Sequence, residues 1–287
     1  MKKAIIAILE DSVQVAIYKP GKKPVIHGLY QEKLDLSQPM AENWISALQT
    51  IWTEEKLPKK CRVTLSIHEE NAVTKMLSLP EMPPKKLAET VHMELQSRED
   101  TEMLTDYLPM GKDAEGKQQL FCAACTHETM EGYVNGIEQL GLKMERVTVP
   151  LVALMNLVPA LEEMRERNCI WLVFDGETVL SVLVENGTYR YATRSRIFSE
   201  QGTLDFGTEI GRNVSGTIQF HSTGQNREPV TDLYYAGCPD DIFEVCIPDL
   251  QNLGLKVSRL PDWPAVQNVP QQIRLSDWSY CVGLMRE

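Results

Sequence analysis

Two stretches of the chain read alike: Ala4-Ile5-Ile6-Ala7-Ile8-Leu9-Glu10-Asp11-Ser12-Val13-Gln14-Val15-Ala16-Ile17-Tyr18 and, 165 positions on, Cys169-Ile170-Trp171-Leu172-Val173-Phe174-Asp175-Gly176-Glu177-Thr178-Val179-Leu180-Ser181-Val182. Each is an apolar run, an acidic turn and a second run. Alternation at Val13, Val15 and Ile17 marks a strand. A third strand follows in each case: Pro24 to Tyr30 after Lys19-Pro20-Gly21-Lys22, and Tyr189 to Arg194 after Asn186-Gly187, a dipeptide that favours the left-handed turn of a hairpin. A helix then follows each meander. Trp44, Ile45, Leu48 and Trp52 share one face of a helix over 41–54, and a second helix is predicted over 204–221. The pattern restarts once at long range, so it predicts a duplicated domain rather than a short-repeat solenoid.

Between the halves the pattern predicts strands over 62–67, 72–79, 105–110, 118–126 and 143–149, and helices over 85–96, 127–140 and 150–163. Pro80, Pro83 and Pro84 punctuate this region, and Gly141 suits a helix stop. In the second half a strand over 232–235, a helix over 240–253, a strand over 255–260 and a C-terminal helix over 276–285 complete the reading.

The 287 residues contain 29 basic and 40 acidic side chains, for a net charge of −11, and 43% are hydrophobic. That composition supports packed cores, and the absence of a long basic run excludes the usual footprint of a nucleic-acid binder. The longest uncharged apolar stretch, 147–160, contains two prolines and is too short for a bilayer. Glu10 and Asp11 cut short the N-terminal apolar run, so it reads as a strand and not a secretory signal. Seven widely spaced cysteines imply reduced thiols in a cytosolic chain.

Several chemistry-bearing patterns are weak. Cys122 and Cys125 have redox-motif spacing, but they fall on a predicted strand, where three-residue spacing sends the side chains to opposite faces. His92 and His127 are isolated. No nucleophile elbow and no Gly-x-x-x-x-Gly-Lys loop is present. Gly207 and Gly211 lie four apart on a predicted helix and suggest close helix packing. A peptide groove needs an apolar floor with an open strand edge or a helix pair. Met76, Met82, Met93, Met103 and Met110 crowd one region, and methionine suits an adaptable binding surface as well as a core.

A duplicated meander-plus-helix unit is the layout of the actin-like superfamily. The local sequence is similar to the PilM family of type IV pilus assembly proteins at Leu79-Pro80-Glu81-Met82-Pro83, at Ala123-Ala124 before the helix that Gly141-Leu142-Lys143 closes, at Val149-Pro150-Leu151-Val152-Ala153-Leu154, and at Tyr280-Cys281-Val282-Gly283-Leu284. This resemblance implies an α/β chain with a duplicated actin-like (ribonuclease H-like) fold: a first domain over 1–165 with a small α+β subdomain inserted at about 80–148, and a second over 166–287. It also implies a cytosolic scaffold at the inner face of the cell membrane, in a machine that builds pili, secretes protein or takes up DNA. Such a scaffold binds the cytosolic tail of a membrane-anchored PilN-like protein in a groove of the first domain and links it to a separate motor ATPase; the resemblance places the inserted subdomain beside that groove, which makes Leu79, Met82, Leu87, Val91 and Tyr133 its candidate lining residues. The cytosolic part of GspL has a related fold followed by a membrane helix; none precedes Glu287 here, which favours the separate-chain arrangement.

The departures from that pattern concern the nucleotide. Actin-like ATPases hold phosphates on a glycine-containing turn in each half. Here the first turn, Glu10-Asp11-Ser12, has no glycine, and the second, Asp175-Gly176-Glu177, pairs one glycine with two acids; the adenosine-side loop reads Ala236-Gly237-Cys238-Pro239. Carboxylates so placed repel a triphosphate unless a divalent metal intervenes. The gap between the second meander and its helix is only 197–203, so a second inserted subdomain is missing. The expectation is a chain without catalytic residues, metal or cofactor. If ATP with magnesium is retained, Asp11, Ser12, Asp175, Gly176, Glu177 and Gly237 would hold it, and the chain would be a nucleotide-dependent switch or weak ATPase. Otherwise Glu10 and Asp11 are solvated turn residues.

Overall fold

A computed structural model describes residues 2–37, 40–58, 60–96, 102–113, 115–223 and 228–286. The first meander is β1 (Lys3–Ile8), β2 (Ser12–Lys19) and β3 (Val25–Lys33), followed by α1 (Met40–Glu54) and β4 (Arg62–Ser66). The second is β9 (Cys169–Asp175), β10 (Thr178–Glu185) and β11 (Thr188–Arg196), followed by α5 (Leu204–Ser222), β12 (Asp232–Ala236) and β13 (Lys256–Arg259). The sheets have matching orders: β3-β2-β1-β4-β8, with β8 at Lys143–Thr148, and β11-β10-β9-β12-β13. In both, three antiparallel strands precede two that run parallel to the first. Both central strands are buried almost throughout, which is why they read as unbroken apolar runs rather than alternating ones. The duplication is therefore present at the level of strand order.

Between β4 and β8 the chain builds a third, antiparallel sheet, β5-β7-β6, from β5 (Val73–Leu79), β6 (Met103–Lys112) and β7 (Gln118–Thr126). α2 (Pro84–Leu95) covers one face, with Leu87, Val91 and Leu95 packed on Leu120, Cys122 and Ala124. The insert expected over about 80–148 is displaced. Its first strand begins at Val73, because the prolines mark the entry to α2 and not the boundary. The strand at its far end, β8, pairs in parallel with β4 and so belongs to the first sheet.

Three predicted helices are shorter than expected. α4 (Pro150–Leu157) ends before Pro159, and its last turns continue as 3₁₀ structure. The span 240–253 splits into α6 (Asp240–Phe243), a 3₁₀ turn and α7 (Ile247–Asn252); Pro248 lacks the amide that a continuous helix needs and instead starts the new one. The C-terminal segment is a 3₁₀ turn leading into α8 (Ser279–Gly283). α4 and α8 cross at the join of the halves. There Gly283 lies so close to Ala153 that an added Cβ would meet the Ala153 carbonyl oxygen at 2.0 Å. Gly207 and Gly211 have the packing role expected of them: a Cβ on Gly207 would meet the Val245 carbonyl at 2.6 Å, and one on Gly211 the Asp249 Cβ at 3.3 Å. All seven cysteines are buried and free. Cys122 and Cys125 do point to opposite faces of β7, one under α2 and one in the main core, and burial pushes the Cys122 thiol up to about 11.

Candidate functional site

The two acidic turns meet. The Glu10 amide donates to Asp175 Oδ1 at 2.8 Å, and a Cβ on Gly176 would lie 3.3 Å from the Glu10 Cβ. Gly176 has φ +58°, the left-handed conformation its type permits. Arg194 of β11 reaches across the join to Glu10 at 3.3 Å, Glu70 at 3.5 Å and Glu69 at 4.0 Å. Glu10 is thus an inter-half contact and not the solvated turn residue expected. Burial pushes the Asp175 carboxyl up to about 7; the Glu10 amide pulls it down, the Glu10 and Asp11 charges push it up, and Arg194 pulls it down.

Beside these turns a cleft of about 750 Å³ opens, lined by Asp11, Ser12, Asp175, Gly176 and Gly237 together with Asp240, Arg259, Arg274 and Asp277. Its cationic groups are already engaged. Arg259 pairs with both Asp240 and Asp277, and Arg274 donates to Asp240 at 2.6 Å. The Arg274 hydrogen bond is the main cause that lowers the Asp240 carboxyl to about 2. The Gly237 amide donates to Asp277 Oδ1 at 3.0 Å, and Gly237 itself (φ +73°) sits against the Phe174 carbonyl. Glu177 does not line the cleft; it pairs with Arg196 at 2.7 Å on the outer surface. Among the described residues no group of three or more His, Cys, Asp or Glu side chains converges to hold a metal ion. The amides of Glu10 and Gly237, two groups that could otherwise meet a phosphate, are taken by the chain's own carboxylates.

A second concavity, a groove of about 310 Å³, lies in the first half between the inserted sheet and the β8–α4 junction. The exposed face of the inserted sheet forms its floor. Leu104, Asp106 and Leu108 alternate along β6, and Phe121, Ala123 and Cys125 along β7; period-2 geometry puts these opposite the α2 face. Val147, Val149 and Val152 form one wall, Ile67 and Ala72 close one side, and Met130 another. β6 is an edge strand of its sheet and β8 of the first sheet, so the groove runs beside two strands that each have one unpaired backbone edge. Leu104 and Leu108 are 37% and 39% exposed, an apolar surface left open along that edge.

None of the five residues expected to form a peptide groove lines this one. Leu87 and Val91 face inward under the sheet, and Leu79 and Met82 pack against the same cluster. Tyr133 is buried against Trp44 (centroids 5.4 Å apart) and accepts a 2.6 Å hydrogen bond from Asn71. Their apolar positions belong to core faces. The signal for the actual floor was the Leu104-x-Asp106-x-Leu108 alternation. The residues that engage the cleft's cations and amides, Asp240 and Asp277, carried no sequence signal, because their partners lie up to 40 positions away.

No protein-family model matches the chain, and no curated protein sequence does. Solved structures do. The chain is similar to the structure titled PilM-PilN type IV pilus biogenesis complex at a TM-score of 0.81 and 16% identity, covering 99% of this chain and 98% of that one. It is similar to a Bacteroides thetaiotaomicron protein with an actin-like ATPase fold and unknown function, at TM-score 0.58 and 13% identity, covering 97% and 94%. It is also similar to the cytoplasmic domain of EpsL, an inner-membrane component of the Vibrio cholerae type II secretion system, at TM-score 0.57 and 8% identity, covering 100% and 96%. No helix among the described residues is long and apolar enough to cross a membrane. The chain therefore has the duplicated actin-like fold, in a form similar to PilM over nearly its whole length.

Proposed function

We propose that this chain is a non-catalytic scaffold of a type IV pilus-like or type II secretion-like assembly machine, acting at the inner face of the cell membrane. In this reading the β6–β8 groove takes an extended segment from the cytosolic tail of a PilN-like membrane protein, and a separate motor ATPase supplies the work. The observation that carries it is the groove: an apolar floor beside an unpaired strand edge is the geometry of strand addition, where main-chain hydrogen bonds give affinity and alternate side-chain pockets give specificity. The likeness in fold to a protein solved with PilN and to a secretion-system component supports the class of machine. The touching turns and the engaged amides favour a scaffold over a nucleotide-dependent switch.

Calorimetric titration tests both parts. A 15-residue peptide from the cytosolic tail of a PilN-like protein of the same genome is expected to bind with a micromolar Kd. Leu104→Glu with Leu108→Glu is expected to weaken it at least tenfold, about 1.4 kcal/mol, while circular dichroism stays unchanged. ATP with magnesium at 1 mM is expected to give no heat. Nucleotide binding tighter than about 0.1 mM would move the switch reading ahead.

A further inference from the structure

The strand registers bring cations together at the end of the first sheet away from the cleft. Lys3 of β1 is level with Tyr18 of β2 and with Arg62 of β4, and Arg62 is level with Lys143 of β8. Lys2 precedes this row and Lys60 stands two residues before Arg62; Lys19 ends β2, and Lys22 and Lys23 follow in the turn to β3. Eight cations thus occupy the ends of five adjacent strands, a row about 20 Å wide at the usual strand spacing. Glu145 takes up two of them, Lys3 at 3.1 Å and Arg62 at 3.2 Å. The other six, Lys2, Lys19, Lys22, Lys23, Lys60 and Lys143, are exposed and form no ion pair among the described residues. Burial lowers the pKa of His27, and the charges of Lys2 and Lys19 lower it further, which reports the convergence of these lysines on one spot. The acids named beside this row are Glu145 within it, Glu138 late in α3 (His127–Gln139), Glu54 at the end of α1 and Glu55 next to Lys56. The local balance stays positive in a chain whose net charge is −11.

We propose that this lysine-rich rim is a docking surface for an anionic lipid bilayer. The charges sit at strand ends and in a turn, in one row across adjacent strands, and no exposed aromatic ring lies among them to stack on a base. A planar sheet of anionic headgroups matches a row of exposed cations across five adjacent strand ends. This inference rests on the strand registers and is independent of the groove.

The test is co-sedimentation of the full chain with vesicles of phosphatidylcholine alone or with 30% phosphatidylglycerol, at 0.1 M and 0.5 M salt. Binding to the anionic vesicles at low salt, its release at high salt and none to the neutral vesicles are expected. Each lysine near such a surface contributes about fivefold to partitioning, so the exposed-turn variant Lys19→Gln/Lys22→Gln/Lys23→Gln should bind roughly a hundredfold more weakly. Lys33→Gln/Lys85→Gln/Lys86→Gln, with the same change in net charge on other faces, should bind as the parent does. Absence of binding to the anionic vesicles, equal losses in both triple variants, or tighter binding of duplex DNA by the same three lysines would overturn the proposal.

Discussion

Gly283→Ala is expected to destabilise the protein by about 3 kcal/mol or more, because the added methyl group has nowhere to go. Gly283 ends α8 where it crosses α4, and the new Cβ would stand 2.0 Å from the Ala153 carbonyl oxygen and 2.5 Å from its carbon. Both neighbours are backbone, so relief requires the two helices to part. Seven of the eight residues of α4 are buried, including Leu151, Val152 and Leu154, and parting the helices would open that core at the join of the halves. The expected readout is a melting temperature lower by several degrees. Gly216→Ala is the control with the opposite sign. Gly216 lies within α5 with no atom within 4 Å of its added Cβ, so the same substitution should stabilise by up to about 1 kcal/mol through helix propensity. Equal effects of the two variants would contradict the packing account.

Asp175→Asn is expected to stabilise the protein at pH 8 and to remove a pH dependence of stability between about pH 4 and pH 7. Burial holds the Asp175 carboxyl at about 7 in the folded chain, against an ordinary value of 3.8. Across that window the folded state keeps a proton that the unfolded state has lost. Stability therefore falls as pH rises through the window and levels off above about 7. The full difference corresponds to roughly 4 kcal/mol, an upper figure, since a buried carboxylate relieves part of its cost by local rearrangement. Asparagine keeps an oxygen in place to accept the Glu10 amide and carries no charge, so it should behave at pH 8 as the protonated acid does. Denaturant unfolding at pH 5 and pH 8 measures this. A parent protein equally stable at both, with an asparagine variant less stable at pH 8, would show the carboxylate to be favourable.

The fold was legible because its decisive elements are local. β1 and β9 are apolar runs ended by acidic turns, and Asn186-Gly187 forces a hairpin whatever surrounds it. Both residues take positive φ, 50° and 67°. The errors lie where long-range pairing decides. β5 reads as an ordinary strand, and only its partner β7 assigns it to the inserted layer. Pro248 divides the span that reads as one helix over 240–253.

The candidate sites were less legible for the same reason. The turns that carry Glu10 and Asp175 stood out singly, but their direct contact joins residues 165 apart, and Arg194 reaches Glu10 from 184 positions away. The groove was sought where the resemblance places it, around α2 and Tyr133 in and beside the inserted sheet. Leu87, Val91 and Tyr133 are packed in their own cores. An open groove has no neighbour in the chain to complement it. The alternation Leu104, Asp106, Leu108 was its only trace in the sequence, and it became informative once β6 was placed at a sheet edge.

The most direct test of the scaffold account is amide hydrogen exchange of the full chain with and without the PilN-like tail peptide. Strand addition at the groove predicts new protection along the outer edge of β6, over Met103–Lys112, with Glu10–Ser12 and Gly176 unchanged. Protection confined to those two turns, with β6 exchanging as before, would contradict the account and place the partner in the cleft.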